Sequence, residues 1–157
     1  MKKILETREF DHPIEEIWKI ISDVSRSDWV PGVSKITLKD DTRIFEMEGM
    51  GDLIERIISC DSSSYELTYS AIKTAIPIDH HLAKIKLIED EDKTVFVWST
   101  EIEPEIFADA IQEGMQKSLE GKSIATINNL KWVFTLVFMI YFLIFSILIP
   151  YILYKNK

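Results

Sequence analysis

The sequence predicts an α+β fold in which a curved antiparallel β-sheet grips a long C-terminal helix, followed by one transmembrane helix. Three patterns support this prediction. Apolar and polar residues alternate from residue 33 to 104, as in strands, and on either side of this region apolar residues recur every three or four positions, as in helices. Residues 132–154 then form an apolar stretch without a charged residue. The order is one strand, one helix, six strands and a long last helix.

The first strand and helix occupy the N-terminal part of the chain. Residues 3–10 alternate as a strand, and Pro13 followed by two glutamates suits the first turn of a helix. The apolar residues of this helix fall at helical spacing: Ile14, Ile17, Trp18 and Ile21. Small residues, a proline and a glycine then interrupt the pattern, which places Trp29 in a turn or a single helical turn.

Six strands follow, separated by short polar or glycine-containing turns that are typical of hairpins. They are the segments 33–40, 42–50, 51–61, 64–74, 78–90 and 93–104. Consecutive hairpins form an antiparallel meander, and a sheet of this length must curl. After Pro104 a helical period returns and continues to about Asn128. One face of this helix has Phe107, Ala110, Ile111, Gly114 and Ser118. It is the element long enough to cover the concave face of the sheet, and a cavity between the two is possible.

The C-terminal apolar stretch, Trp132–Tyr154, has the length of a membrane span. At about 1.5 Å per residue it gives a helix of roughly 35 Å, against a hydrocarbon core of roughly 30 Å. Aromatic residues and lysines flank it, as at membrane interfaces. The predicted organisation is a globular domain in residues 1–121, a helix end and juxtamembrane linker in 122–131, a transmembrane helix in 132–154 and a short tail in 155–157.

Charge, cysteine content and histidine positions limit the classes of function and the cellular location that the sequence allows. Residues 1–130 contain 26 acidic and 15 basic residues, a formal charge of −11, and no basic cluster, which argues against nucleic-acid binding. The chain has one cysteine and no evident signal peptide, which predicts a cytoplasmic location for the globular domain. The domain would be held there by the single-pass C-terminal anchor. The adjacent His80 and His81 would face opposite sides of a strand, so no metal site is expected.

Three phrases resemble the START-like helix-grip superfamily, in particular its polyketide cyclase/dehydrase and lipid-transport group, often labelled SRPBCC. They are HPIEEIWKIISDVSRSDWVPGVSKI, GDLIERIISCDSSSYELTYS and TVFVWSTEIEP, and the resemblance covers about residues 2–120. It implies that residues 1–121 are a START-like domain with an internal apolar cavity for lipids, sterols, quinones, polyketides or similar molecules. The superfamily also includes enzymes. None of the phrases is a catalytic signature, and no cofactor is expected.

Strand alternation predicts which side chains point inward, and an aromatic, mostly apolar lining with a few hydroxyl and imidazole groups is typical of a small-molecule pocket. A filled core would give the same pattern. The candidate ligand-pocket residues are Tyr65, Leu67, Tyr69, His81, Ala83, Ile85, Phe96, Trp98, Thr100, Phe107, Ile111 and Met115.

Two of these residues are weak catalytic candidates. His81, with Asp79 on the same strand face, could form an oriented general base, and Tyr69 could donate a hydrogen bond to a bound carbonyl. Structural roles are more common for both residue types. Glu55 and Arg56 project to opposite faces of one strand, and the inward one needs a partner that the sequence does not identify.

Three functions remain open. The leading hypothesis is a membrane-anchored binding or transfer module for a hydrophobic small molecule, with lipid, quinone or polyketide-like compounds as candidates and the bilayer as its second partner. The alternatives are a cyclase or dehydratase acting on such a ligand and a non-catalytic interaction module at the membrane. No particular protein partner is indicated.

Overall fold

A computed structural model of the protein describes residues 1–47 and 51–120. The elements in chain order are β1 (Lys2–Phe10), α1 (Ile14–Ile21), β2 (Thr37–Lys39), β3 (Thr42–Met47), β4 (Gly51–Asp61), β5 (Glu66–Lys73), β6 (His80–Asp90), β7 (Lys93–Glu103) and α2 (Ala108–Glu120). A 3-10 turn, Glu105–Phe107, leads into α2. This confirms the predicted α+β order over these residues. The predicted transmembrane helix, 132–154, lies outside them, and none of the helices within them is long and apolar enough to cross a membrane.

The seven strands form one antiparallel sheet in the order β1-β7-β6-β5-β4-β3-β2. Strands β2 to β7 are the predicted meander, in which each strand pairs with the next along the chain. The first strand returns to the other edge and pairs with the last, from Lys2 opposite Ile102 to Phe10 opposite Thr94. The N-terminus is thereby held beside the strand that leads into α2.

Three predicted strands are shorter than expected by two residues or more, and one of them, 78–90, begins only at His80. The segment 33–40 contains only the three residues of β2, because Val33 and Ile36 turn inward and are buried against Phe45 and Leu53. The segment 64–74 begins as a strand only at Glu66, because the preceding Tyr65 has φ +52°, a left-handed backbone conformation that belongs to the turn after β4.

The first helix packs on β6 and β7 through the apolar face that the sequence predicts. Ile17 and Ile21 are completely buried, and burial of such a side chain stabilises the fold by roughly 1.5–3 kcal/mol. Trp18 is anchored at its polar end, where the indole N–H donates to Ser62 Oγ at 2.9 Å. The apolar strand residues that are completely buried in the sheet include Leu67, Ala83, Ile85, Leu87 and Phe96.

The second helix packs on the same sheet beside β1. The side-chain amides of Gln112 and Gln116 both donate to the Glu6 carboxylate, at 2.6 and 3.0 Å. Thr100 of β7 donates to the sulfur of Met115 at 3.5 Å. These contacts hold α2 across the inner face of the sheet at a position separate from α1.

Candidate ligand-binding cavity

A cavity of about 450 Å³ lies between α2 and the inner face of the sheet. Its volume is within the range of roughly 300–1,000 Å³ that small-molecule sites occupy. Strands β3 to β7 form one wall and α2 forms the other, while residues from the turns around Trp29 and Ile76 complete the lining. Most of these side chains are apolar.

The face of α2 that borders the cavity leaves space beside the helix. The residues of α2 and its preceding turn that border the cavity are Phe107, Ala110, Ile111, Gly114, Met115 and Ser118. They include the complete helix face predicted from the sequence. A Cβ atom at Gly114 would meet no other atom within 4 Å. The Ser118 hydroxyl donates to the Gly114 carbonyl at 2.9 Å, so its hydrogen-bonding capacity is used within the helix. Small residues on this face keep the cavity open.

A buried ion pair lies on the strand wall. Arg43 of β3 and Glu55 of β4 are direct cross-strand partners, and Arg43 Nε donates to a Glu55 carboxylate oxygen. The side chains are only 5% and 11% exposed. Burial alone would lower the pKa of Arg43, but the Glu55 carboxylate and Tyr69 raise it overall, so the guanidinium stays charged. Glu55 is therefore the inward residue of the Glu55 and Arg56 pair, and its partner is Arg43.

Tyr69 of β5 lies against this pair. The guanidinium carbon of Arg43 is 4.4 Å from the centre of the Tyr69 ring, which is a cation–π distance. Burial, and then the negative charge of Glu55, raise the pKa of Tyr69 well above its usual range, although Arg43 and Trp98 act in the opposite direction. The phenol therefore remains protonated at neutral pH and is a hydrogen-bond donor.

His81 bridges a gap in the sheet. The β5–β6 ladder runs from Glu66 opposite Lys86 to Tyr69 opposite Ala83. Beyond that point the backbone N–H of Ala71 donates to His81 Nδ1 at 3.0 Å, so the imidazole replaces a backbone acceptor. The group at Nδ1 is thus the Ala71 amide and not the carboxylate of Asp79.

The environment of His81 keeps it neutral. Burial, followed by the charges of His80 and Arg43, lowers the pKa of His81 to about 4. Because Nδ1 accepts a hydrogen bond, the single proton of the neutral ring is on Nε2. A ring with this pKa and an occupied Nδ1 is a weak general base at neutral pH and a good hydrogen-bond donor.

Seven of the twelve candidate residues border the cavity. They are Tyr69, His81, Trp98, Thr100, Phe107, Ile111 and Met115. The other five do not. Tyr65 is in the turn after β4, with its ring against Trp18 at 5.8 Å. The remaining four are completely buried in the sheet and are not among the cavity-lining residues: Leu67, Ala83, Ile85 and Phe96. Contact of any of the twelve with a ligand stays a prediction.

Several cavity residues were not predicted as such. Besides the ion pair, they include Trp29, Ile36, Phe45 and Leu53. The alternation of β3 and β4 could have indicated Phe45 and Leu53, which lie on the buried face of these strands. Trp29 lies in a turn, where no periodicity shows direction, and its indole contacts that of Trp98 with ring centres 5.9 Å apart.

Solved structures share this architecture. Protein XoxI from Bacillus cereus is 20% identical, with a TM-score of 0.65 over 75% of this chain and 93% of that one. Norcoclaurine synthase from Thalictrum flavum is 20% identical, with a TM-score of 0.64 over 80% and 85% of the two chains. A START superfamily protein from Mycobacterium smegmatis is 14% identical, with a TM-score of 0.62 over 75% and 94%. At these identities the likeness shows the fold alone.

No curated protein matches the sequence. Residues 1–134 match the family model described as polyketide cyclase / dehydrase and lipid transport, which covers most of the chain. The order of elements, the sheet with α2 packed on it and the three sequence phrases agree with that match. The chain belongs to the polyketide cyclase/dehydrase and lipid transport family.

Proposed function

We propose that the protein is a membrane-anchored binding or transfer module for a hydrophobic small molecule, such as a lipid, a quinone or a polyketide-like compound. The observation that carries this proposal is the cavity of about 450 Å³ between the sheet and α2. Its wall is mostly apolar, and its few polar groups are gathered on neighbouring strands. An apolar pocket with a few convergent polar groups is the usual form of a small-molecule site.

The family supports a hydrophobic ligand and does not choose the activity. Its description includes both polyketide cyclisation and lipid transport. One similar structure is a synthase by its name, and the same fold serves many functions. The state of the polar groups favours binding over acid–base catalysis, because His81 has its Nδ1 occupied and a pKa lowered to about 4.

The membrane part of the proposal depends on residues 132–154, whose sequence has the length and apolar character of a single span. A tether of this kind would keep the domain, on the cytoplasmic side, beside the pool of apolar molecules in the bilayer. It would raise the effective concentration of the cavity there, so that weak intrinsic affinity suffices for exchange.

The proposal can be tested by identifying what the protein carries. The full chain would be extracted from membranes in mild detergent, and compounds that remain bound would be identified by mass spectrometry. A Gly114→Phe variant places a ring in the open space over the cavity. A Glu113→Phe variant places the same ring on the neighbouring exposed position and is the matched control.

We expect one or a few apolar compounds in the wild type and in Glu113→Phe, and at least about a tenfold loss in Gly114→Phe, which corresponds to about 1.4 kcal/mol of binding free energy. Equal amounts of compound in the two variants would place the binding elsewhere. A wild-type protein that stays empty after incubation with a lipid extract would contradict the proposal.

A further inference from the structure

The polar groups of the cavity provide more hydrogen-bond donors than acceptors. Four donors border the cavity, on strands β3, β5, β6 and β7: Arg43, Tyr69, His81 and Trp98. The carboxylate among them is Glu55, and it accepts from Arg43. Buried polar groups are nearly always paired in folded proteins, so a surplus of donors indicates that an acceptor is supplied from outside the chain.

The Tyr69 hydroxyl is one of the donors in excess of the available acceptors. Its oxygen is close enough to the guanidinium of Arg43 and the indole N–H of Trp98 that both favour its anionic form. Neither of these groups can accept the phenolic proton. Trp98 Nε1 is itself buried and makes no hydrogen bond of normal length and angle within the described part of the chain. The Tyr69 O–H donates no hydrogen bond within the described residues, to the nearby Glu55 carboxylate or to any other group, so it is available to a molecule in the cavity.

The second available donor is fixed by the sheet. Because the Ala71 amide donates to His81 Nδ1 at 3.0 Å, the imidazole proton is on the opposite nitrogen, Nε2. His81 borders the same cavity as Tyr69, and the two rings have centroids 6.1 Å apart. Because the two rings are neighbours in one cavity, a single ligand can reach both donors.

The charges around the cavity also restrict the charge that a bound ligand can carry. The positive charge of Arg43 is already balanced by Glu55, and Tyr69 and His81 are both neutral. An anionic ligand would place its charge beside the Glu55 carboxylate without a free cation to compensate it, in a mostly apolar cavity where unpaired charge is costly. The site is suited to a neutral acceptor.

We propose that the molecule held in the cavity is uncharged and carries a carbonyl-type acceptor oxygen, as in a ketone, an ester or a quinone, which receives hydrogen bonds from Tyr69 Oη and His81 Nε2. This inference rests on the proposed function and names the ligand class for the same cavity. The apolar remainder of the ligand lies against the α2 face and the indole rings of Trp29 and Trp98.

Three probes of one shape test the proposal: 9-fluorenone, a ketone; fluorene, the corresponding hydrocarbon; and fluorene-9-carboxylate, an anion. Their dissociation constants would be measured by equilibrium dialysis with the full chain in discs of uncharged lipid, corrected with discs that contain no protein. We expect fluorenone to bind at least about tenfold more tightly than fluorene, because it pairs donors that are otherwise left unpaired. The carboxylate should bind more weakly than the ketone.

A matched pair of variants locates the effect. Tyr69→Phe removes the hydroxyl inside the cavity, and we expect it to bring the fluorenone and fluorene affinities close together. Tyr65→Phe makes the same change in the turn beside α1, outside the cavity, and should leave the preference intact. The carbonyl stretching band of bound fluorenone gives a measurement on the wild type alone, and hydrogen bonding should move it to lower wavenumber.

The outcomes separate this inference from the function it rests on. Equal binding of fluorenone and fluorene would overturn the carbonyl proposal and leave a hydrophobic-ligand module standing. Tightest binding of the carboxylate would overturn the requirement for a neutral ligand. Absence of binding for all three probes, together with a protein that carries no apolar compound from membranes, would overturn both.

Discussion

Two parts of the inner face of the sheet differ although the same strands run through both. At the end nearer α1, strands β5, β6 and β7 present Leu67, Leu87 and Phe96, all completely buried. Under α2 the same strands present Tyr69, His81 and Trp98, which border a cavity. Below, these parts are called the packed half and the hollow half.

The covering helices explain the difference. The first helix turns large apolar side chains toward the sheet, and Ile17 and Ile21 are fully buried. The second borders the cavity with Ala110, Gly114 and Ser118, and these are too small to fill the space. One strand set can therefore supply stability at one end and a binding cavity at the other.

The largest expected effect is in the packed half. Phe96→Ala should lower the free energy of unfolding by ~4 kcal/mol, because it removes a fully buried ring and leaves a cavity. Ile111→Ala in the hollow half should lower it by less than ~1.5 kcal/mol, because that side chain already borders open space. Urea unfolding of the full chain, followed by tryptophan fluorescence, measures both values. Similar losses of unfolding free energy in the two variants would show that the two halves are equally well packed, which would contradict this account.

Within the hollow half, we expect the largest loss of unfolding free energy when the ion pair between Arg43 and Glu55 is broken. Glu55→Leu leaves the charge of Arg43 buried without its partner, and we expect a loss of ~3 kcal/mol, the lower end for such pairs because the cavity admits some solvent. The double variant Arg43→Met with Glu55→Leu should recover most of that loss. A double variant as unstable as Glu55→Leu alone would show that the pair is not the cause.

His81 should make stability depend on pH. Its folded pKa of about 4 is below the unfolded value of about 6.5, so the unfolded chain binds the proton more readily between these pH values. Stability therefore falls as pH falls from 6.5 to 4, by ~2 kcal/mol after allowance for partial exposure to the cavity. His81→Asn retains an acceptor for Ala71 and should flatten this part of the profile. A variant with the same pH profile as the wild type would assign the effect to other groups.

The smallest expected effect concerns Gly114. Its Cβ position is open, so Gly114→Ala should stabilise α2 by ~0.5–1 kcal/mol through the higher helix propensity of alanine. It adds only one methyl group at the cavity, so ligand binding should change little. Thermal melting of the full chain measures the gain, and a loss of stability would mean that the space is needed by another group.

The sequence predicted the elements well and the site in part. Periodicity identified every strand of the meander and the cavity-facing side of α2, because periodicity reports which side chains point inward. Periodicity does not show at which residue of a strand the overlying helix changes from α1 to α2. For this reason Leu67 and Tyr69 were predicted as equivalent positions, although only Tyr69 borders the cavity.

Two other features needed the folded chain. The pairing of Arg43 with Glu55 depends on the register of β3 against β4, which the sequence alone left open. The tautomer of His81 depends on the end of the β5–β6 ladder, where Ala71 requires an acceptor. Both are consequences of strand pairing and not of residue pattern.

The central claim is that the hollow half binds an apolar molecule while the packed half does not. Methyl NMR of the full chain with labelled isoleucines tests it within one sample during titration with 9-fluorenone. We expect resonance shifts at Ile36, Ile102 and Ile111, which border the cavity, and none at Ile17 and Ile21, which are buried on α1. Equal shifts in both groups, or no shifts in either, would contradict the account.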